Sequence, residues 1–332
     1  MKRVYLAIAL IFAVVIVSVN GLTSLATAQT PDPLPSWNEG TVKTAMIEFV
    51  ESVTTKGSPN FVEVSQRIAT FDNDGTLWPE QPLIQGMFVL EKIKQMAAAD
   101  PTLKEKQPFQ AALAGDLEYI KAAGEQAIME LVAAVHSNKT EAEFTTEAQA
   151  FFAQGVHPTL NLPYTQLAYQ PMVELLEYLR ANGFQTWICS GGGIDFIRII
   201  SEEMYAIESQ QVIGSSVKKE FREQDGNWVM WRIPELNSFN DKEVKPVNID
   251  LHIHQIPIFA AGNVRSGGDI AMLTYVGSNN LPSFQLLINH DDAEREFVYQ
   301  EADNASLNAA QENAWQVVSM KNDWKNIFTG NF

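Results

Sequence analysis

Two aspartates stand two residues apart on a glycine turn, and a short apolar run comes directly before them. The run covers residues 67–71, and Asp72-Asn73-Asp74-Gly75-Thr76 follows it. An apolar run that stops at a turn signal predicts a buried strand feeding a loop. On such a loop the carboxylates of Asp72 and Asp74 can enter one crevice, where their repulsion raises one pKa unless a cation neutralises the pair. This pattern suits a general acid beside a nucleophile or metal ligand, although an Asx turn with solvated aspartates has the same sequence.

The second half of the chain alternates between short apolar runs and amphipathic stretches. Strands are predicted at 184–189, 211–215, 228–232, 256–261 and 285–288. Helices are predicted at 172–182, 194–204 and 268–276. Strands that alternate with helices indicate a parallel sheet with both faces covered. The predicted fold class is therefore α/β, with a doubly wound, mostly parallel sheet.

Residues 80–169 differ in character from the segments on either side. They are rich in Ala, Leu, Glu, Lys and Gln with helical spacing, and they contain no strand-like run. We therefore expect a helical subdomain, inserted into a core that residues 41–79 and 170–332 form.

The N-terminal residues have the layout of a targeting segment. Lys2 and Arg3 precede an apolar run over residues 4–17, and Ala26-Thr27-Ala28 offers a small-residue cleavage site. This layout predicts a secretory signal peptide over residues 1–28 and a periplasmic or extracellular protein. A polar linker is predicted over residues 29–40. The alternative is an uncleaved membrane anchor, because the run approaches the roughly 20 apolar residues of a spanning helix.

The net charge bears on possible partners. Forty acidic and twenty-three basic residues give a net charge of −17, which repels nucleic acid and anionic membranes. We therefore expect no nucleic-acid partner, and no stable membrane partner once the signal is cleaved. A phosphate ligand would need positive charge concentrated locally, at a cation or a few lysines. The single cysteine, Cys189, excludes an intramolecular disulfide.

Two more loops follow predicted strands, and ligands in open parallel sheets bind beyond the carboxyl ends of the strands. In Ser190-Gly191-Gly192-Gly193, the glycines let backbone N–H groups approach an anion and the serine adds a hydroxyl donor. A plain glycine turn is the alternative. Asn263 and Asp269 follow the predicted strand at 256–261, and their oxygen atoms suit Mg²⁺. Lys245 could supply the local positive charge, unless it is a solvated surface residue.

The order of these features resembles the haloacid dehalogenase superfamily of hydrolases. Within it, the chain is most similar to an exported branch that resembles phosphoserine phosphatases. The resemblance rests on Phe71-Asp72-Asn73-Asp74-Gly75-Thr76-Leu77-Trp78, on residues 241–246 and on Asp292-Ala293-Glu294-Arg295-Glu296. It covers residues 67–299 and implies a Rossmann-like core with residues 80–169 inserted as a cap. In such folds a closing cap excludes water and selects the substrate.

The resemblance also implies a phosphoaspartyl mechanism. Asp72 would attack the phosphorus, and Asp74 would protonate the leaving alcohol and later activate water. Lys245 would neutralise charge between the nucleophile and the phosphate, and Ser190 would bind the phosphoryl oxygens. The other residues implied to contact phosphate or substrate are Thr76, Gly191, Gly192, Arg265 and Glu80.

The implied cofactor is Mg²⁺, held by Asp72, by the main-chain carbonyl of Asp74 and by the loop that contains Asn263 and Asp269. Here the chain departs from the family pattern, in which this loop commonly has two acidic residues that lie closer together. Asn263 stands in place of the first acidic residue, and it precedes Asp269 by six positions. Which of these two ligates the metal directly is open. The lysine that the family pattern places beside the nucleophile is Lys242 or Lys245, and Lys245 matches that pattern better.

Together these features predict a Mg²⁺-dependent phosphohydrolase that acts on a small phosphomonoester. It would be phosphoserine-phosphatase-like or a broad-specificity acid phosphatase. One alternative is a dehalogenase on the same scaffold, although halide displacement has no need of the acid Asp74. The other is a protein that binds phosphate or a metabolite without turnover.

Four further side chains are weaker candidates. His252 and His254 would alternate on one face of a strand, but a transition-metal site would need a third ligand, so packing or solvation is expected. Trp78 could flank the substrate or simply pack, and packing is the favoured expectation. His290 follows the last predicted strand, and an approach to the site is the less favoured expectation.

Overall fold

The apolar run before the two aspartates forms the first strand of the sheet, and all of its residues are buried. A computed structural model describes residues 32–265 and 267–330, and these residues contain one sheet of eight strands. In chain order the strands are β1 (Ile68–Phe71), β2 (Lys139–Thr140), β3 (Gln185–Gly193), β4 (Val212–Gln224), β5 (Asn227–Ser238), β6 (Phe259–Asn263), β7 (Phe284–Asn289) and β8 (Gln316–Ser319). Their spatial order is β2-β5-β4-β3-β1-β6-β7-β8, so β1 is central. The predicted signal peptide lies outside the described residues.

Most of the sheet is parallel. Every pairing from β4 through β3, β1, β6 and β7 to β8 is parallel. Among the described strands, only the pairings of β5 with β4 and with β2 are antiparallel. Parallel neighbours require crossover connections, which the helices supply. The predicted α/β class with a mostly parallel sheet is confirmed.

Helices cover the sheet and make up most of the inserted segment. In chain order the α-helices are α1 (Thr41–Thr54), α2 (Ile84–Ala99), α3 (Phe109–Ala114), α4 (Leu117–His136), α5 (Glu141–Gln154), α6 (Gln170–Ala181), α7 (Ile194–Arg198), α8 (Ser201–Tyr205), α9 (Val244–Ile253), α10 (Ile270–Gly277), α11 (Ala305–Glu312) and α12 (Met320–Asp323). Short 3₁₀ helices lie at Val64–Gln66, Pro101–Glu105, Tyr164–Gln166 and Ser209–Gln211. None of the described helices has both the length and the apolar character needed to cross a bilayer.

The inserted segment is mainly helical, as its composition predicts. It contains α2 to α5, and α4 bends at Gly124, where φ is 72°. The expectation that it has no strand is wrong, because β2 pairs with Trp231 and Arg232 of β5. Two residues are too few to produce an alternating pattern in the sequence.

The helical segment shares one hydrophobic core with the sheet. Phe88 of α2 and Phe152 of α5 pack against Phe196 of α7, with ring centroids 5.2 and 4.8 Å apart. Trp78, in the loop after β1, lies 6.2 Å from the ring of Phe152. A continuous cluster of buried side chains therefore joins this segment to the loop of the two aspartates.

The hairpin of β4 and β5 is much longer than the predicted strands at 211–215 and 228–232. It turns at Asp225 and Gly226, whose φ angles are 51° and 79°. An Asp-Gly turn with positive φ at both positions matches the twist of antiparallel strands. Residues 218–224 and 234–238 of the hairpin are mostly polar and exposed, so they lack the apolar run that indicated a strand at 228–232.

Three other expectations need correction. Of the linker predicted over residues 29–40, the structure describes residues 32–40, in which Leu34, Ser36 and Trp37 are buried and the ring of Trp37 lies edge-on to Trp324 at 5.8 Å. The helix predicted over 194–204 is divided into α7 and α8. His252 and His254 share no strand, because His252 lies in α9 and His254 ends that helix with a φ of 59°.

Candidate active site

The loops that the sequence identified leave three neighbouring strands at one edge of the sheet. Asp72 follows β1, Ser190 lies near the end of β3, and Asn263 ends β6. Parallel strands end at the same edge, so the three loops meet there. Lys245 reaches this place from the first turn of α9.

The ammonium group of Lys245 links Asp72 to Asp269. Its Nζ lies 2.8 Å from Asp72 Oδ1 and 2.5 Å from Asp269 Oδ1, and all three side chains are buried. Lys242 is exposed and has a φ of 51° in the turn before α9. The geometry therefore identifies Lys245, and not Lys242, as the lysine that contacts the aspartates.

The two carboxylates share one ammonium, so the cluster carries excess negative charge. Burial raises the pKa of Asp72 well above its usual range, the charge of Asp269 adds to the rise, and Lys245 opposes it. Burial lowers the pKa of Lys245, but the charges of Asp269 and Asp72 outweigh burial and raise it. The ammonium therefore stays charged, and it relieves only part of the repulsion between the carboxylates.

Asp74 has a polar contact on each carboxylate oxygen. The indole Nε1 of Trp78 donates to Oδ1 over 2.9 Å, and the hydroxyl of Ser190 lies 3.5 Å from Oδ2. Burial raises the pKa of Asp74, and the hydrogen bond from Trp78 and the charge of Arg265 oppose this rise in part. A raised pKa suits a group that donates a proton. Packing was the favoured expectation for Trp78, and the structure adds this hydrogen bond.

Gly75 and Thr76 shape the turn that follows Asp74. Gly75 has a φ of 74°, and a Cβ at this position would lie 1.8 Å from Asn263 Nδ2, so the turn requires glycine. Thr76 is fully buried, and its hydroxyl has no hydrogen-bond partner among the described residues. A buried hydroxyl in this state is a group that a bound oxyanion would satisfy.

The glycine loop after Ser190 offers fewer free amides to an anion than its sequence suggests. The amide of Gly192 donates to Ser190 Oγ over 3.0 Å, and that of Gly193 donates to the side-chain oxygen of Gln85 over 2.7 Å. The carbonyl of Gly191 accepts from the hydroxyl of Ser215. An anion could use the amide of Gly192 only if the serine hydroxyl released it.

Asn263 and Asp269 close the loop after β6 against each other. The backbone amide of Asn263 donates to Asp269 Oδ2 over 2.9 Å. A Cβ on Gly262 would lie 2.5 Å from the Cβ of Asp269, so glycine is needed for this approach. The Nδ2 of Asn263 donates to Glu80 Oε1 over 2.9 Å, which leaves its amide oxygen for a cation. Asp269 is engaged at both oxygens by Lys245 and Asn263.

Glu80 and Arg265 form an ion pair next to Asp74. Arg265 Nη1 lies 2.6 Å from Glu80 Oε2, with side-chain exposures of 40% for the arginine and 5% for the glutamate. Burial raises the pKa of Glu80, and the charge of Arg265 opposes the rise. Glu80 is therefore occupied by Arg265 and Asn263, whereas the sequence alone suggested a contact to the leaving group.

The oxygen donors at the site fit a hard cation. Among the described residues, no group of three or more His, Cys, Asp and Glu side chains is arranged to hold a metal ion. The fold does bring together the carboxylates of Asp72 and Asp269 with the amide of Asn263. Oxygen-only donors with excess negative charge match the preferences of Mg²⁺ better than those of metals that bind His or Cys.

His290 contacts the aspartate loop, although its approach to the site was the less favoured expectation from the sequence. Its Nε2 donates to the carbonyl of Gly75 over 2.8 Å, and its Nδ1 lies 3.1 Å from Glu296 Oε2. The ring of Tyr299 stacks on His290 at 4.2 Å, and the hydroxyl of Tyr169 donates to Glu296 Oε1 over 2.9 Å. The place of His290 in the sequence could have indicated this contact. His290 directly follows β7, and β7 ends at the edge of the sheet where the other loops meet.

Comparison with known proteins gives one family match. The family model described as haloacid dehalogenase-like hydrolase matches residues 69–273, which is more than half of the chain. None of the curated proteins compared with the chain matches it.

Solved structures support the same fold. A conserved, functionally unknown protein from Anaerococcus prevotii is 13% identical, with a TM-score of 0.58 over 87% of this chain and 94% of that chain. A protein of unknown function from Bordetella pertussis is 17% identical, with a TM-score of 0.52 over 77% of this chain and 99% of that chain. At these identities the likeness establishes the fold alone.

Proposed function

Because the chain belongs to the haloacid dehalogenase-like hydrolase family, we propose that it is a Mg²⁺-dependent phosphohydrolase acting on a small phosphomonoester. The observation that carries the proposal is the buried ammonium of Lys245 between Asp72 and Asp269. Asp74, two residues from Asp72, adds a carboxyl whose pKa burial raises. A nucleophile, an acid and a fixed positive charge are the parts that phosphoryl transfer needs.

In the first step of the proposed reaction, an oxygen of Asp72 attacks the phosphorus. The bond from phosphorus to the leaving oxygen breaks, and Asp74 transfers its proton to that oxygen, so the product alcohol leaves neutral. Since Asp74 Oδ1 already accepts from Trp78, the proton is assigned to Oδ2, the oxygen near Ser190. Asp72 is left as an acyl phosphate and Asp74 as a carboxylate.

In the second step, the carboxylate of Asp74 takes a proton from water. The water oxygen bonds to the phosphorus, and the bond from phosphorus to the Asp72 oxygen breaks. Inorganic phosphate leaves, Asp72 is again a carboxylate, and Asp74 is again protonated. Each group returns to its starting state, so the cycle balances.

The phosphoryl oxygens would be held by Lys245, by the hydroxyls of Ser190 and Thr76, and by the cation. Mg²⁺ would be held by Asp72, Asn263 or Asp269 and the main-chain carbonyl of Asp74, and when bound it supplies positive charge to the phosphate. Arg265 stands at the edge of the site, paired with Glu80. Release of that pair would direct the guanidinium to the substrate.

We also propose that the protein is exported. Support comes from Lys2, Arg3, the apolar run over residues 4–17 and the cleavage pattern at Ala26-Thr27-Ala28, all outside the described residues. Cell fractionation tests this. The proposal expects a periplasmic or extracellular chain shortened by about 28 residues, and a full-length cytoplasmic chain would contradict it.

The experiment for the activity is a panel of small phosphomonoesters, phosphoserine included, assayed with a Mg²⁺ titration and with EDTA. Phosphate release that requires Mg²⁺ supports the proposal. Halide release from haloacids without Mg²⁺ would favour a dehalogenase. Thermal stabilisation by inorganic phosphate without any product from the panel would favour a binding protein.

A further inference from the structure

We propose that His290 is a positioning residue for this reaction. Through Nε2 it holds the carbonyl of Gly75, and through that carbonyl it fixes the loop that carries Asp72 and Asp74. The inference rests on the proposed phosphohydrolase function for its kinetic consequences, and on the contacts alone for its structural ones.

The hydrogen-bond partners fix the orientation of the ring. The carbonyl of Gly75 can only accept, so Nε2 of His290 carries a hydrogen. Glu296 acts as an acceptor, because Oε2 receives the amide of Phe297 over 2.6 Å and Oε1 receives the hydroxyl of Tyr169 over 2.9 Å. Nδ1 of His290 lies 3.1 Å from Glu296 Oε2, so the ring is held at both nitrogens.

The support behind the ring is rigid. His290 and Glu296 have no exposed side-chain surface. Tyr299 stacks on the imidazole with an interplanar angle of 22°, and Tyr169, which precedes α6, is also fully buried. Buried hydrogen bonds with all partners present hold one geometry, because breaking any one leaves an unsatisfied polar group.

The carbonyl of Gly75 is the part of the aspartate loop that needs such support. Glycine is the residue with the most backbone freedom, and this one stands directly after Asp74 with a φ of 74°. Its N–H is bound by the carbonyl of Trp78 over 2.7 Å, so the bond from His290 fixes the remaining side of the residue. With both sides held, the peptide groups on either side of Gly75 have defined orientations.

His290 acts through this carbonyl and not on the substrate. Both of its ring nitrogens are taken, one by Gly75 and the other by Glu296. It therefore has no free donor for a phosphate. Its effect on the reaction is to keep the aspartates in the orientation in which Asp72 attacks and Asp74 delivers its proton.

Two amide substitutions separate positioning from general stability. In His290→Gln the side-chain nitrogen occupies the place of Nε2 and keeps the bond to Gly75, whereas in His290→Asn it occupies the place of Nδ1 and loses that bond. Both bury one neutral carboxamide beside Glu296. We expect kcat of His290→Asn to fall about 100-fold with KM changed less than about threefold, and kcat of His290→Gln to stay within about fivefold of the parent.

A second readout needs no turnover. Hydrogen exchange of the amides of residues 72–78 should be faster in His290→Asn than in His290→Gln and the parent. Val53→Ala, which truncates a buried residue of α1 outside the site, should lower Tm without changing kcat or the exchange of this loop. If the parent protein releases no phosphate, the proposed function fails, and the exchange measurement still decides the role of His290.

Equal losses in the Gln and Asn variants, or a His290→Asn protein with parental kcat and loop exchange, would overturn the inference. If His290→Asn does not fold, Glu296→Gln carries the test. That change removes the charged acceptor of Nδ1, and we expect faster loop exchange and a lower kcat with KM preserved. Parental values in a folded Glu296→Gln protein would also overturn it.

Discussion

The indole nitrogen of Trp78 donates a hydrogen bond to Asp74 Oδ1 over 2.9 Å, within the loop that carries both aspartates. The bond favours the charged carboxylate and so lowers the pKa of Asp74 against the rise that burial causes. Trp78 therefore lowers the pKa of Asp74 as well as packing against Phe152.

Trp78→Phe should move the alkaline limb of the kcat profile to higher pH. Without the indole donor the pKa of Asp74 rises further, so the protonated acid persists to a higher pH before activity falls. The measurement is kcat against pH. Trp37→Phe is the matched control, because Trp37 is an equally buried indole that donates to the carbonyl of Pro171. A limb that stays in place, or moves down, would refute this role for Trp78.

Arg265→Met should destabilise the protein more at pH 8 than at pH 4. It leaves the buried carboxyl of Glu80 without its counter-charge, which costs about 1–3 kcal/mol once the partial exposure of the arginine is considered. Burial already raises the pKa of Glu80, and loss of Arg265 raises it further. The unfolded chain then loses this proton at a lower pH than the folded protein, so stability falls as pH rises above the usual Glu range.

Urea unfolding at the two pH values measures the effect of Arg265→Met. Lys218→Met removes an exposed ion pair with Glu235 and is the control, with an expected change below about 1 kcal/mol at either pH. A deficit in Arg265→Met that is equal at both pH values would show that Glu80 is not the group responsible.

Gly75→Ala should abolish activity and destabilise the fold far more than Gly115→Ala. Both glycines have positive φ, 74° and 70°, so both substitutions carry the left-handed backbone cost of about 1–2 kcal/mol. A Cβ at Gly115 meets nothing within 4 Å, whereas one at Gly75 overlaps the side chain of Asn263. Thermal unfolding and phosphate release of the two variants isolate the clash. Equal Tm shifts would mean that the turn accommodates a side chain.

The sequence predicted well where the candidate site residues lie, because they follow buried strands. Asp72, Ser190 and Asn263 each end an apolar run, and parallel strands bring such ends to one edge. Their partners were harder to predict. The hydrogen bond that the amide of Gly193 donates to the side-chain oxygen of Gln85 joins β3 to α2, and no spacing in the sequence encodes a contact between residues so far apart.

The full length of the hairpin and the histidine network were missed for different physical reasons. β4 and β5 extend past the predicted runs at 211–215 and 228–232, and the added residues 218–224 and 234–238 are mostly polar and exposed, so they carry no periodic apolar signal. His290 depends on Glu296, and Glu296 depends on Tyr169, which lies 127 positions away in sequence and reaches it only in the folded chain. A buried polar network of this kind is visible only once the tertiary fold is known.

His136→Gln should make stability less sensitive to acid. Burial, with a smaller contribution from the charges of Arg232 and Lys139, lowers the pKa of His136 to about 3. The unfolded chain binds this proton below about pH 6.5 and the folded protein does not, so stability falls as pH drops from there towards 3. Between pH 7 and 5 the parent should lose about 2 kcal/mol more than the variant.

Denaturant unfolding at pH 7 and 5 checks the prediction for His136. His254→Gln, an exposed substitution at the end of α9, should leave the pH dependence of the parent unchanged. If His136→Gln loses as much stability on acidification as the parent, the acid sensitivity arises elsewhere.

The most direct test of the proposed role of Asp72 as the nucleophile is to measure phosphate release by Asp72→Asn in the presence of Mg²⁺. The amide cannot attack phosphorus, so turnover should fall by about 10⁴-fold or more, while circular dichroism and Tm stay close to those of the parent. Asp250→Asn, an exposed substitution on α9, should keep parental activity. Phosphate release by Asp72→Asn at a rate near that of the parent would contradict the assignment of Asp72 as the nucleophile.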